Sequence, residues 1–190
     1  MGRNLYHAAA FLSLSIAVAA GHDWPLALSQ YAPLSASRQS SSGQNGLELE
    51  IRMRLRTLPY YGVFDHLEYR VEGDIVILSG QVVHPELRYD AKVVIHEIPG
   101  VRHVHDQIHF LTVSPAENEV RKAVFVAIYA DPALRPYTIV SGGAIHIVVE
   151  GKRVTLEGEV SSDSDRQLAA VRASRAHGAF EIINHITVSH

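Results

Sequence analysis

The 190-residue chain contains no cysteine. Disulfides, thiolate nucleophiles, cysteine zinc sites and lipid attachment through cysteine are therefore excluded, so the protein is not a lipoprotein. An excess of positive charge is missing too: 17 Lys and Arg against 20 Asp and Glu leave a net charge of −3. Broad nucleic-acid binding needs a basic face, and no nucleic-acid partner is expected. Long apolar runs are absent beyond the start of the chain. Ala8 to Ala20, behind Arg3 and ending in Ala17-Val18-Ala19, is too short to span a bilayer comfortably and has the pattern of an export signal. Residues 1–20 are expected to be a signal peptide, with an uncleaved anchor helix as the alternative, and the remainder to lie outside the cytoplasm. The sequence also lacks G-x-S-x-G, H-E-x-x-H and P-loop patterns, so neither an enzyme nor a cofactor is expected.

What the chain does have is a repeat. Gly73, Val76, Leu78, Gly80 and Val82 return 78 residues later as Gly151, Val154, Leu156, Gly158 and Val160. Arg88, Ala91, Val93, Gly100 and Ile108 return as Arg166, Ala169, Val171, Gly178 and Ile186, without a gap. Such regularity implies two copies of one small fold, and residues common to both have structural roles first. Gly80 and Gly158 fit a bulge or a close backbone approach inside a strand. Gly100 and Gly178 fit the left-handed turn that ends a helix.

Periodicity supplies the elements. In the second copy, Ser114-Pro115 with Glu117 opens a helix carrying Val120, Ala123, Val124 and Ala127 on one face. Residues 144–149 and 153–160 alternate around a Glu150-Gly151-Lys152 turn, a helix follows Ser162, and 180–188 is a third strand. The first copy repeats this order through a hairpin at 67–82, a helix after Pro85 and a strand at 101–111. Its opening segment is ambiguous: Leu47, Leu49, Ile51, Met53 and Leu55 have a strand period, while Leu47, Ile51, Leu55 and Leu58 fit a helix face. The repeat favours helix. The predicted class is α+β, with two tandem α-β-β-α-β repeats, each a three-stranded mixed sheet with two helices on one face. The predicted boundaries are a flexible linker at 21–46, a first domain at 47–113 and a second at 114–190. The linker assignment rests on the Ser/Gln/Gly-rich stretch 29–46.

These residues resemble the BON domain family. Its V-x-L-x-G-x-V run is Val76-x-Leu78-x-Gly80-x-Val82 in the first copy and Val154-x-Leu156-x-Gly158-x-Val160 in the second. Its G-V-x-x-V-x-N run appears as Gly100-Val101-x-x-Val104-x-Asp106 and as Gly178-Ala179-x-x-Ile182-x-Asn184, with Asp106 and Ala179 as departures. The resemblance covers about residues 47–190 and implies a periplasmic, non-enzymatic module. Its expected roles are phospholipid association, envelope maintenance under osmotic stress, or chaperone-like assistance to exported proteins.

Function is then sought where the copies differ. Arg121, Lys122, Phe125, Val126 and Tyr129 form a second face on the helix at 117–130. That face either enters anionic phospholipid headgroups or packs on the other copy or a second molecule. His103, His105 and His109 share one face of the first copy's last strand, with Val104, Ile108 and Phe110 directed to the core. Their counterparts are Glu181, Ile183 and Thr187. The trio could hold zinc or respond to acid, or could be solvent-facing without a ligand. Arg52, Arg54 and Arg56 read as a solvated face balanced by Glu48 and Glu50. A protein-binding role through open sheet faces or strand edges is the alternative to lipid association.

Overall fold

A computed structural model describes residues 35–138 and 144–189. The export signal expected at 1–20 lies outside the described residues. The first copy comprises α1 (Ser35–Arg56), β1 (His66–Glu72), β2 (Ile75–Val82), α2 (Pro85–His96) and β3 (His103–Phe110). The second comprises α3 (Pro115–Tyr129), β4 (Ile145–Glu150), β5 (Arg153–Val160), α4 (Asp163–Ser174), β6 (Glu181–Asn184) and β7 (Thr187–Val188). No helix among the described residues is long and apolar enough to cross a membrane.

The helix period wins in the ambiguous opening segment. Ile51 and Leu55 are buried, while Leu49 and Met53, which a strand would place on the same side, are more than half exposed. The helix begins at Ser35, so twelve residues read as tether are helical. Composition misled here because Gln is a good helix former and Ser a middling one, and a helix anchored by its packed end can extend through them.

The two sheets share one pairing scheme. β1 pairs antiparallel with β2 and β2 parallel with β3, with Leu67 opposite Gly80 and Val76 opposite Val104. In the second copy Ile145 lies opposite Gly158 and Val154 opposite Ile182. These pairs are equivalent under the 78-residue offset. The second sheet counts four strands because its last strand is interrupted at His185-Ile186: β6 and β7 both run parallel to β5. The His185 amide still donates to the Leu156 carbonyl at 2.8 Å, which keeps the broken strand in place.

Gly80 and Gly158 explain why the repeat retains glycine inside a strand. Their φ angles are 117° and 119°. A Cβ at Gly80 would collide with the His66 carbonyl, and one at Gly158 with the equivalent Ala144 carbonyl. Close strand approach therefore excludes a side chain at both. Gly100 and Gly178, with φ of 98° and 86°, take the left-handed turn after α2 and α4.

Each copy has its own core. Ile51, Leu55, Leu78, Leu87 and Ile95 anchor the first, and Val124, Ile128, Ile147, Leu156 and Ala169 the second. Val63 and Phe64 precede the first sheet yet pack against the second core. One strand position departs from expectation. Phe110 is half exposed, with the Arg88 guanidinium 5.1 Å from its ring centroid. At the end of the strand its ring is covered by an arginine from α2 rather than by apolar core, so the alternating pattern loses its core there.

Candidate functional site

The helical face singled out on α3 is mostly consumed within the molecule. The Tyr129 ring is buried and its hydroxyl donates to the Ile145 carbonyl at 2.8 Å. Burial pushes that hydroxyl up to about 12. Phe125 packs on Tyr129, with ring centroids 4.9 Å apart, and edge-on to Phe64 of the first copy at 6.2 Å. Arg121 is 2% exposed. Its guanidinium donates to the Thr112 and Val149 carbonyls at 2.8 and 3.0 Å and to Asn118 at 2.9 Å. Only Lys122 and Val126 of the five remain exposed. Of the two alternatives for this face, packing accounts for Tyr129 and for Phe125, which meets the other copy through Phe64. A stripe wider than one apolar face was needed because α3 meets its own sheet on one side and the first copy on another.

Arg121 belongs to a buried polar junction. Asp65 accepts from the Val83 amide at 2.7 Å and the Gly62 amide at 3.1 Å. Burial still raises its carboxyl above the ordinary carboxylate range, against those bonds and the attraction of His84 and Arg121. Glu117 closes a capping box with Ser114 and accepts from the Gly151 amide at 2.9 Å, which ties the start of α3 to the β4–β5 turn. That backbone bond holds its carboxyl below the usual range.

The copies meet where the segment 61–66 crosses the outer edge of β4. The Ile147 amide donates to the Val63 carbonyl at 2.7 Å, so the edge is partly paired by the other copy. His146, buried on the same strand, donates from Nδ1 to the Gly62 carbonyl at 3.3 Å, leaving Nε2 to accept from the Tyr61 hydroxyl at 3.4 Å. Burial, with His66 nearby, lowers His146 to about 4. The ring is therefore neutral near pH 7.

Beside this junction the two sheets border an open groove of about 1100 Å³. From the first copy come Arg52, Arg56, Tyr69, Ile77 and Gln107; from the second come Tyr137, Glu157, Glu159, His185 and Thr187. Both charge signs are present, interleaved with apolar and aromatic side chains. Arg52 and Arg56, read in the sequence as an ordinary solvated face, border the groove, whereas Arg54 pairs with Glu50 at 2.8 Å.

His103, His105 and His109 are all exposed on one face of β3, as the strand period required. They do not form a converging donor set. Among the described residues one such group occurs, His66, Glu68 and Glu157, whose ligand atoms lie within 4.8 Å of one another in the groove. Sequence reasoning missed it because Glu157 lies 91 positions from His66. The available local signal was His66-x-Glu68, two strand residues facing the same way.

A family model described as BON domain matches residues 56–112 and again 133–190. No curated protein matches the chain. Among solved structures, the chain is similar to the C-terminal domain of CdsD, described as the structural protein of the type III secretion system of Chlamydia trachomatis. The identity is 9% over 76% of this chain and 98% of that one, with a TM-score of 0.27. A second structure of CdsD from the same organism is 13% identical over 76% and 92%, with a TM-score of 0.28.

Proposed function

The chain belongs to the BON domain family in two tandem copies, and from that premise we propose that it is an exported, non-enzymatic binding module that holds extended segments of envelope or exported proteins in the groove between its sheets. The observation that carries this reading is the groove itself. At about 1100 Å³ it lies above the usual range for a small-molecule pocket, about 300–1,000 Å³, and it is open to solvent. Its lining mixes Arg52, Arg56 and Arg70 with Glu68, Glu157 and Glu159, and adds Tyr69, Ile77 and Tyr137. Alternating charged, polar and apolar side chains on facing sheets suit a polypeptide, whose side chains alternate in the same way. The test is suppression of aggregation of a denatured exported protein, in lipid-free buffer with a chelator. The double substitution Ile77→Asp and Ser79→Glu adds charge on the open face without entering the core. Loss of suppression in this folded variant supports the reading, and full suppression rejects it.

Association with an anionic phospholipid surface is the second reading. With most of the α3 face buried, its support moves to Phe180, 77% exposed, and Lys152, whose ammonium lies 4.3 Å from the Phe180 ring centroid. An exposed aromatic beside a cation at a hairpin tip suits a headgroup layer. Liposome co-sedimentation tests it: binding should need anionic lipid, weaken with salt and fall in Phe180→Ser. Equal sedimentation of that variant and the parent removes the support.

A further inference from the structure

We propose a divalent transition-metal site, of the kind that takes zinc, built from His66 and Glu68 of the first copy and Glu157 of the second. The donor atoms already lie within 4.8 Å of one another. Zinc–nitrogen and zinc–oxygen bonds are about 2.0–2.2 Å long, so the donors need to close by roughly 1.5 Å, a movement that side-chain rotation supplies. Glu68 is well exposed and free to make most of it.

A second observation points the same way. Both ring nitrogens of His66 are buried and neither has a hydrogen-bond partner. The Glu68 carboxylate is 3.1 Å from His66 Nε2 but not aligned as a hydrogen bond. A buried imidazole ordinarily satisfies at least one nitrogen, and a metal ion would supply the missing partner. The donor set of one imidazole and two carboxylates suits a first-row ion such as zinc, with water able to complete the coordination from the groove. His185 Nδ1 lies 2.8 Å from Glu157 Oε1 and would orient that carboxylate from behind.

The repeat adds a third argument. The counterparts of His66, Glu68, Glu157 and His185 are Ala144, His146, Ser79 and Gln107. None of the four residues is retained in the other copy, so the shared fold does not account for them. Two ligands come from β1 and one from β5, and an ion bound there would cross-link the copies beside the pairing of Val63 with Ile147.

The experiment is calorimetric titration of zinc chloride into the chelator-treated full chain, with thermal unfolding in parallel. The expected result is one ion per chain and a higher Tm on binding. His66→Gln and Glu157→Gln should each weaken binding at least tenfold and remove the thermal shift. The triple substitution His103→Gln, His105→Gln and His109→Gln should bind as the parent does. Glu68→Gln, at an exposed position, serves if Glu157→Gln does not fold. Absence of binding by the parent overturns the site, as does parental affinity in the folded ligand variants, or loss of binding in the triple variant. Because the aggregation assay runs in chelator, its outcome is independent of this one.

Discussion

Asp106 and Asn184 occupy the same position in the two copies and fasten the last strand to the preceding helix with opposite hydrogen-bond polarity. Each side-chain oxygen accepts the amide two residues on, from Ile108 at 3.0 Å and from Ile186 at 3.2 Å. Asn184 then donates its amide to the Arg166 carbonyl at 3.0 Å. A carboxylate has no proton to donate, so at Asp106 the partner residue answers with its side chain instead: Arg88 Nε donates at 2.8 Å. The departure of the first copy from the family's asparagine is compensated by charge.

Asp106→Asn should therefore be tolerated, and its effect should depend on pH. Burial raises the Asp106 carboxyl, but the bonds from Arg88 and the Ile108 amide, with Lys92 near, hold it below its ordinary value of 3.8. A depressed folded-state value means that the contribution is complete above about pH 4 and is lost as pH falls through the folded value. Chemical denaturation at pH 7 should show the variant less stable by about 1 kcal/mol, the arginine of the pair being 37% exposed. At pH 3 the difference should shrink. An equal difference at both pH values would remove the ionic account.

Gly80→Ala and Gly158→Ala should each destabilise their own copy by roughly 3 kcal/mol or more, through a left-handed φ and collision with a neighbouring carbonyl. Because the two sites are equivalent, the two losses should be similar. Urea denaturation followed by circular dichroism measures them. A loss below 1 kcal/mol at either would show that the strands can separate without cost.

The elements were legible because each carries a repeated period with its own punctuation, such as Ser114 before α3 and Gly100 after α2. The glycine roles were legible for the same reason. The site was not. An apolar stripe tells that a residue such as Phe125 or Tyr129 is covered, but not which body covers it. Arg121 shows the limit most clearly. A cation on a helix reads as solvated, and its acceptors, the Thr112 and Val149 carbonyls, are backbone groups that no side-chain pattern announces. The His66, Glu68 and Glu157 group depends on how two copies dock, and that relation lies outside either copy's pattern.

Tyr129→Phe should cost about 1–2 kcal/mol, since it leaves the buried Ile145 carbonyl without its side-chain donor while preserving the ring. It should leave liposome co-sedimentation unchanged, because the ring does not reach solvent. A folded variant with reduced lipid binding would return α3 to the membrane reading.

Phe64→Ala tests whether the two copies unfold as one. Phe64 belongs in sequence to the first copy, yet it packs on the second core and meets Phe125 edge-on. Such a ring pair contributes about 0.5–1.5 kcal/mol beyond the area it covers. Other bridges include the Ile147 amide to the Val63 carbonyl, the contacts of His146 with Gly62 and Tyr61, and the His66 and His146 rings, 5.8 Å apart. All lie within the same short segment that the phenyl ring holds against β4. Each core is otherwise complete without the other, so coupling rests on this segment rather than on a shared interior. Calorimetry of the parent should therefore show one unfolding transition, and Phe64→Ala should split it into two, with the first copy's Gly80→Ala then lowering only one of the pair. A single transition retained in Phe64→Ala would mean that the backbone pairing alone couples the copies.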